Sequence, residues 1–167
     1  MKRSVAIGLA AGAAAIVLAA GILMPRARRR AHTYALLDSL AALPLGTALD
    51  SLRRVFPRLY CSAMEHHHTD DLPICTAEAD GRDIRFEVPD HRIGSMEVMV
   101  FGRDMTDAVA WTRSRLGVPH GHCTVDDTRL AWWSRRGTTV TLTEPPPGGR
   151  ARRLAMRAGG GAPPGCA

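Results

Sequence analysis

Twenty consecutive apolar residues, Val5 to Met24, open this chain and set its first structural constraint. Lys2 and Arg3 precede the run, and four arginines follow it within residues 26–30. At the rise of an α-helix, twenty residues cover about 30 Å, the thickness of the hydrocarbon core of a bilayer. The sequence therefore predicts that residues 1–30 form an N-terminal membrane anchor or signal segment with basic flanks.

The composition of the apolar run leaves two interpretations open. Nine of its residues are Val, Ile, Leu or Met, eight are Ala and three are Gly, so it is only moderately apolar. Its length favours an uncleaved anchor, because the apolar core of a cleaved signal usually has about 7–15 residues. Ala19-Ala20-Gly21 offers the small residues of a cleavage site, so a cleaved signal is the alternative. Ile22 stands where a lipoprotein would require cysteine, which excludes lipidation there.

The orientation of the anchor is predicted by two signals that disagree. The arginines after the apolar run favour a cytoplasmic position for the domain that follows, by the positive-inside bias. The cysteines of that domain favour an oxidising compartment. We expect a single-pass protein of the inner (cytoplasmic) membrane with its domain on the periplasmic side. The alternative is a periplasmic or secreted protein released by signal cleavage.

The net charge of +6 is distributed unevenly along the chain. Residues 1–30 carry six Lys or Arg and residues 145–167 carry four Arg, with no acid in either segment. Residues 31–144 hold 12 Arg against 16 acids, a net charge of −4. A nucleic-acid-binding domain concentrates positive charge on its folded surface, so nucleic acid is not an expected partner. Membrane lipid, contacted through residues 5–30, is the expected partner of the basic flank.

Three helices are predicted within residues 31–144. Leucines recur at helical spacing after the arginine cluster, and this pattern stops at Pro44. A second helix is predicted to open at Thr47, which forms a capping-box-like pair with Asp50. A third is predicted to open at Asp104 and to end before a glycine and a proline.

Strands are predicted between and after these helices. Residues 84–88 alternate as a half-buried strand does, and residues 96–101 are nearly all apolar, as in a more central strand. Residues 130–133 and 138–143 predict a hairpin. The fold class is therefore α+β, a globular domain over residues 31–144 with helices packed on an antiparallel sheet. The Gly/Pro/Arg-rich composition of residues 145–167 predicts a disordered tail.

The two halves of the domain share an order of features. Each predicts a helix, a proline stop, a cysteine-bearing loop and two antiparallel strands, at an offset of about 60 residues. The hypothesis is a tandem of two helix-plus-hairpin repeats. The alternative is a regularity that any α+β domain of this size shows.

Short motifs carry a resemblance to a known family. The opening Gly46-Thr47, the segment Leu116-Gly117-Val118-Pro119 and the pair Trp132-Trp133, with Val140 and Leu142, resemble the small BamE/SmpA-like envelope modules. The tandem arrangement resembles the β-lactamase-inhibitor-protein fold, which is built from two such units. The resemblance implies a non-enzymatic envelope protein that binds other proteins, and it transfers no functional residue. Assembly members of the family are lipoproteins, and this chain lacks the lipidated cysteine.

Four cysteines are present, of which Cys61 and Cys75 are the natural disulfide pair. Closing a loop of that size stabilises a fold by about 3 kcal/mol in the chain-entropy model. Pairing of Cys123 with Cys61 is an alternative that the sequence leaves open. Cys166 lies in the predicted tail and is expected to be unpaired. In a reducing compartment all four would be free thiols.

Two runs of metal-capable side chains suggest a second function. One contains His66, His67 and His68; the other contains His120, His122 and Cys123. Zinc takes three or four nitrogen, sulfur or oxygen ligands in a tetrahedron, which the two loops together can supply. Neither run has C-x-x-C or H-E-x-x-H spacing, so solvated loops are the favoured interpretation and a metal-binding protein is the alternative function.

No catalytic motif is found in the sequence. G-x-S-x-G, P-loop and Rossmann glycine patterns are absent, and no cofactor is expected. Trp132 and Trp133 point to opposite faces of a strand, so one is expected in the core and the other exposed or partly covered. An exposed Trp would mark a partner-binding surface, and packing in the core or at the sheet edge is the favoured alternative. The favoured function is a non-enzymatic protein-binding or structural module that recognises another envelope protein through its sheet.

Overall fold

The computed structural model describes residues 25–62, 73–144 and 149–166. The predicted anchor, Val5–Met24, and the run of histidines at 66–68 lie outside these ranges. Three helices and eight strands are found within them; in chain order they are α1 (25–42), α2 (Leu49–Val55), β1 (Tyr60–Cys61), β2 (Ile74–Ala79), β3 (Arg82–Glu87), β4 (Ser95–Phe101), α3 (Asp104–Arg115), β5 (Gly121–Val125), β6 (Thr128–Arg135), β7 (Thr138–Thr143) and β8 (Ala151–Ala158). None of these three helices is both long enough and apolar enough to span a membrane.

All eight strands form one antiparallel sheet, in the order β1-β2-β3-β4-β8-β7-β6-β5. The first four strands pair in chain order, and so do the last four. The two halves meet where β4 pairs with β8, from Ser95 opposite Arg157 to Phe101 opposite Ala151. The α+β class with an antiparallel sheet is therefore confirmed, and each half contributes four strands where two were predicted.

The helices pack on one face of the sheet, where the core lies. Leu37 of α1, Leu52 of α2 and Trp111 of α3 are almost completely buried. They join alternate residues of the strands, such as Ile84 and Phe86 of β3, in one hydrophobic cluster. The period-2 pattern of a strand thus places one set of side chains under the helices. The other set lies on the opposite face, which carries no helix of the described residues and is here called the helix-free face.

Three of the hairpins turn through two residues that both have positive φ. Such pairs belong to tight turns whose twist matches that of the flanking strands. The turns join β2 to β3, β5 to β6 and β6 to β7, and their central residues are Asp80-Gly81, Asp126-Asp127 and Arg136-Gly137.

Residues 149–166 are ordered, which corrects the prediction of a disordered tail over residues 145–167. β8 lies in the middle of the sheet, between β4 and β7. Its Leu154 and Met156 are buried in the helix-side core, while Arg153 and Arg157 project from the other face. This alternation of apolar and basic residues is typical of a strand. The segments on either side of it are rich in glycine and proline, so the overall composition predicted disorder instead.

The described part of helix α1, residues 25–42, includes arginines of the basic flank. The Nε of Arg29 lies 3.5 Å from Oδ1 of Asp104 and 3.8 Å from Oδ2 of Asp107. Arg30 donates a hydrogen bond of 2.9 Å to the hydroxyl of Tyr34. At least one of the arginines assigned to lipid is therefore bound within the domain.

The predicted capping box at Thr47 does not form. Thr47 Oγ1 donates to the carbonyl oxygen of Pro44 at 2.6 Å, and α2 starts at Leu49 after Ala48, which offers no capping side chain. Asp50 pairs with Arg53 instead, at 3.4 Å. The hydroxyl of Thr47 therefore completes the turn after Pro44 rather than the start of the helix.

Asp38 joins α1 to α3. Its Oδ1 accepts hydrogen bonds from Nε1 of the buried Trp111 at 2.9 Å and from Nε of Arg115 at 3.0 Å, and its Oδ2 accepts one from Nη2 of Arg115 at 2.8 Å. These bonds, chiefly those from Arg115, hold the pKa of Asp38 below its ordinary value. The two helices are thereby tied by a charge-assisted contact at the edge of the core.

Replacing Asp38 with Asn should lower the free energy of unfolding at neutral pH. It should also reduce the loss of that free energy as the pH is lowered. The pKa of Asp38 is lower in the folded protein than in the unfolded chain, where an aspartate has a pKa of about 3.9. The ionised carboxylate therefore stabilises the fold at pH values above about 3.9, and this stabilisation is lost as the pH falls through the pKa of the folded state. We expect a loss of about 1 kcal/mol at pH 7, because solvent screens a side chain that is 41% exposed. Urea unfolding at neutral and acid pH measures both effects.

Asp50→Asn is the matched control for this experiment, since the Asp50 side chain is 90% exposed in its pair with Arg53. It should leave the free energy of unfolding nearly unchanged. Equal acid dependence in the Asp38→Asn variant and the unmodified protein would contradict the assignment.

Candidate functional site

The helix-free face of the sheet carries a groove of about 650 Å³, here called the sheet groove. Short side chains of two neighbouring strands form its floor: Ala151 and Ala155 of β8, and Thr141 and Thr143 of β7. Thr141 lies directly opposite Ala155 in the strand pairing. Because these side chains are short, they leave a depression beside the longer side chains of the same face, among them Met99 of β4, Leu130 of β6 and Arg153 of β8 itself.

One wall of the groove consists of ion pairs between β3, β4 and β8. The Nε of Arg153 lies 3.5 Å from Oε2 of Glu97, and Nη2 of Arg157 lies 3.5 Å from Oε2 of Glu87. Ser95 Oγ donates a hydrogen bond of 2.6 Å to the same Glu87 oxygen. The side chains of the two glutamates are 23–29% exposed and those of the two arginines are 54–55% exposed. The guanidinium groups therefore lie nearer to solvent than the carboxylates that they pair with.

The other wall is the end of the chain, residues 159–166, here called the C-terminal strap. Thr139 Oγ1 lies 2.6 Å from the carbonyl oxygen of Gly159 and 3.0 Å from that of Gly161, and the Gly161 N–H donates to Ser134 Oγ at 3.0 Å. Gly159 and Gly161 have φ of +103° and +120°, which only glycine adopts easily. The strap explains why Thr139, on a face without helices, is buried.

Two disulfides are present in the structure. Cys61 is bonded to Cys75, as predicted, and this pair joins β1 to β2 at the edge of the core. Cys123 of β5 is bonded to Cys166 of the strap. The expectation of an unpaired Cys166 and the alternative Cys61–Cys123 pair are therefore both wrong. Folding of β8 into the sheet carries the end of the chain to β5, which the sequence spacing did not reveal.

The second run of metal-capable side chains lacks the sulfur ligand that the hypothesis assigned to it. Cys123 has no thiolate to offer because its sulfur is in a disulfide, and His122 is its neighbour on a strand, where side chains point to opposite faces. His120 Nδ1 accepts the N–H of Ser134 at 3.2 Å. No cluster of three or more His, Cys, Asp or Glu suited to a metal ion occurs in residues 25–62, 73–144 and 149–166.

The two tryptophans occupy opposite faces, as the alternation predicts. Trp133 is buried in the core, and its Nε1 donates to the carbonyl oxygen of Gly117 at 3.1 Å. Trp132 lies half-buried on the helix-free face, stacked on His120 with ring centres 5.7 Å apart. A Cβ at Gly121 would lie 2.7 Å from Trp132 Nε1, so the glycine allows the indole to lie against β5.

Sequence reasoning did not identify the residues of the groove. Its floor residues are small and its charged residues are ordinary surface types, so no motif marks them. The available signal was the alternation within β8, where Arg153 and Arg157 flank Ala155 on one face. That signal becomes informative only after β8 is recognised as a strand.

Comparisons with protein-family models, with curated proteins and with solved structures gave no match. A function must therefore be derived from the geometry of the sheet groove and the strap. The resemblance to BamE/SmpA-like modules stays a prediction from sequence motifs.

Proposed function

We propose that this chain is a non-enzymatic protein-binding module of the bacterial envelope, and that the sheet groove binds an extended segment of another envelope protein. The observation that carries the proposal is the length of the groove along β8, where every second residue from Ala151 to Arg157 lines it. At the rise of a strand this stretch covers about 20 Å, the length of an extended segment of roughly six residues.

The lining defines the chemistry of the partner segment. The floor at Ala155 and Thr141 has room for side chains larger than its own, and Met99 adds apolar surface beside it. The wall of ion pairs offers guanidinium donors above carboxylate acceptors. A segment with apolar side chains toward the floor and polar or charged side chains toward the wall fits this pattern, which follows the usual division of an interface into apolar core and polar rim.

Glu87 and Glu97, two of the three carboxylates that line the groove, support a binding role rather than a catalytic one. Glu97 faces Arg153, and Glu87 is held by both Ser95 and Arg157. A general acid or base needs a carboxyl that is available to a reacting group. Carboxylates held between strands by arginine instead order the surface that a partner meets.

We further propose that the domain resides on the periplasmic side of the inner membrane, held by residues 1–30, with release after signal cleavage as the alternative. Two disulfides support an oxidising compartment. Arg26 and Arg28 of α1 are exposed, which suits contact with lipid headgroups.

Site-specific photo-crosslinking in cells tests the proposed binding surface. A photoreactive amino acid at Thr141 of the full-length protein should give one discrete adduct with a second protein. Ala155→Trp fills the floor of the groove and should reduce this adduct at least about ten-fold, which corresponds to about 1.4 kcal/mol of binding free energy. Arg153→Glu, which alters the wall and leaves the core intact, should also reduce it.

The matched control places the photoreactive residue at Arg54, an exposed position of α2. It should give no adduct of the same mass. Equal adducts from both positions, or an adduct that both groove variants leave unchanged while circular dichroism shows them folded, would contradict the proposal.

A further inference from the structure

We propose that the Cys123–Cys166 disulfide is a reducible latch whose opening releases the C-terminal strap and uncovers an apolar end of the sheet groove. The biological use of the latch rests on the proposed function of the groove. The release itself can be measured without any partner.

The two disulfides lie in different surroundings. Cys75 is 1% exposed, and its partner Cys61, partly exposed on the edge strand β1, packs against the hydrophobic core. Cys123 lies on the edge strand β5 and Cys166 near the end of the chain; both are partly exposed, and neither belongs to the helix-side core. A thiolate can approach Cys123–Cys166 at either residue and away from the core, whereas Cys61–Cys75 has one buried residue and one that packs on the core, so exchange is favoured at Cys123–Cys166.

The strap is held differently at its two ends. Near β8, the Gly159 N–H donates to the carbonyl oxygen of Gly137 at 2.9 Å, and Gly161 is bonded to Ser134. Toward residue 166, the described residues show a backbone hydrogen bond within the strap itself, from the Cys166 N–H to the carbonyl oxygen of Pro163 at 3.0 Å. This bond does not attach the strap to the sheet. The disulfide is thus the main attachment of residues 162–166, and its loss frees that part of the strap.

Apolar residues on the face opposite to the three described helices line the groove together with residues of the strap. Leu130 lies opposite Cys123 in the strand pairing, lines the groove and is only 9% exposed, although it is outside the helix-side core. A Cβ at Gly165 would lie 3.3 Å from Cγ2 of Val125, so the strap also lies against this residue. Release therefore lengthens the groove toward β5 and exposes Leu130 and Val125 to a partner.

The reductant is a dithiol, and the exchange proceeds in two steps. One thiolate of the dithiol attacks a sulfur of the Cys123–Cys166 bond, forms a mixed disulfide and expels the other cysteine as a thiolate. The second thiol of the reductant then displaces the remaining protein sulfur and closes its own disulfide. The protein gains two electrons and two protons and ends with free thiols at Cys123 and Cys166.

Timed reduction of the native full-length protein tests the selectivity. Dithiothreitol is the probe, samples are quenched with an alkylating agent, and peptide mass spectrometry locates the labelled cysteines. We expect Cys123 and Cys166 to be labelled at least about ten-fold faster than Cys61 and Cys75. Equal rates, or earlier labelling of Cys61 and Cys75, would overturn the proposal.

Methyl NMR with a soluble paramagnetic probe tests the release. In the selectively reduced protein, and in a Cys123→Ser/Cys166→Ser variant, the Leu130 methyl groups should become accessible to the probe. Those of Leu154, 1% exposed in the core, should stay shielded. A Leu130 that remains shielded, or a Leu154 that becomes accessible at the same time, would show that the bond does not act as a latch.

The two proposals fail separately. If Leu130 opens on reduction and the photoreactive residue at Thr141 gives no adduct in either redox state, the latch stands and the binding function falls. If the adduct forms and Leu130 stays shielded after reduction, the binding function stands and the latch falls.

Discussion

Truncation of the chain after Gly149 is expected to abolish cooperative folding. The deletion removes β8, the strand that joins the two halves of the sheet, and leaves β4 and β7 without their shared partner. It also removes Leu154 and Met156 from the core. Truncating a single buried side chain of this kind to alanine costs about 2–5 kcal/mol, and a whole domain is stable by only about 5–15 kcal/mol. Far-UV circular dichroism and thermal unfolding measure the outcome.

Truncation after Gly159 is the matched control, because it removes most of the strap and keeps β8. We expect this variant to unfold cooperatively. A pair of point variants gives a second comparison: Leu154→Ala should lose about 2–5 kcal/mol, and Arg153→Ala, on the exposed face, should lose less than about 1 kcal/mol. Cooperative unfolding of the protein truncated after Gly149 would mean that β8 is dispensable.

The sequence predicts correctly those strands in which apolar and polar side chains alternate, or in which nearly every side chain is apolar, between recognisable turn residues. β3, β4 and the β6–β7 hairpin were predicted because apolar residues at every second position, or at nearly every position, are bounded by turn residues. β2 was missed, although Asp80-Gly81 is a strong hairpin signal. β5 was missed because Gly121, His122 and Cys123 were interpreted as a loop of metal-capable residues.

The site depends on contacts between residues far apart in the chain, which local patterns do not contain. Arg153 faces Glu97 only because β8 pairs with β4, and that pairing joins the two halves of the domain. The Cys123–Cys166 bond closes a separation of 43 residues by the same route. The alternation within β8 was visible in the sequence, but the glycine- and proline-rich composition around it favoured a disordered tail.

A second group of charged side chains, which lies beneath the helices, also could not be predicted from local sequence patterns. Arg82 of β3 is only 9% exposed; its Nη2 lies 2.7 Å from Oδ2 of Asp104 and donates to Thr33 Oγ1 at 2.8 Å. Arg29 of α1 reaches Asp104 from the other side, at 3.5 Å. Asp104 was predicted only as the start of a helix, yet its carboxylate joins α1, α3 and the sheet.

Asp104→Ala is therefore expected to cost about 3–5 kcal/mol of folding free energy, measured by urea unfolding. The variant leaves Arg82 buried without its carboxylate, and an unpaired buried charge is much more costly than a lost surface pair. Glu144→Ala is the control, because its pair with Arg129 is 37–64% exposed and should contribute less than about 1 kcal/mol.

A double variant separates the charge from the packing. In Arg82→Leu/Asp104→Leu both partners of the buried pair are apolar, so no uncompensated charge remains between them, and replacements of this kind are often neutral or stabilising. It should recover most of the stability that Asp104→Ala loses. If the double variant is less stable than the single one, the hydrogen bond from Arg82 to Thr33, rather than the ion pair, holds α1 against the sheet.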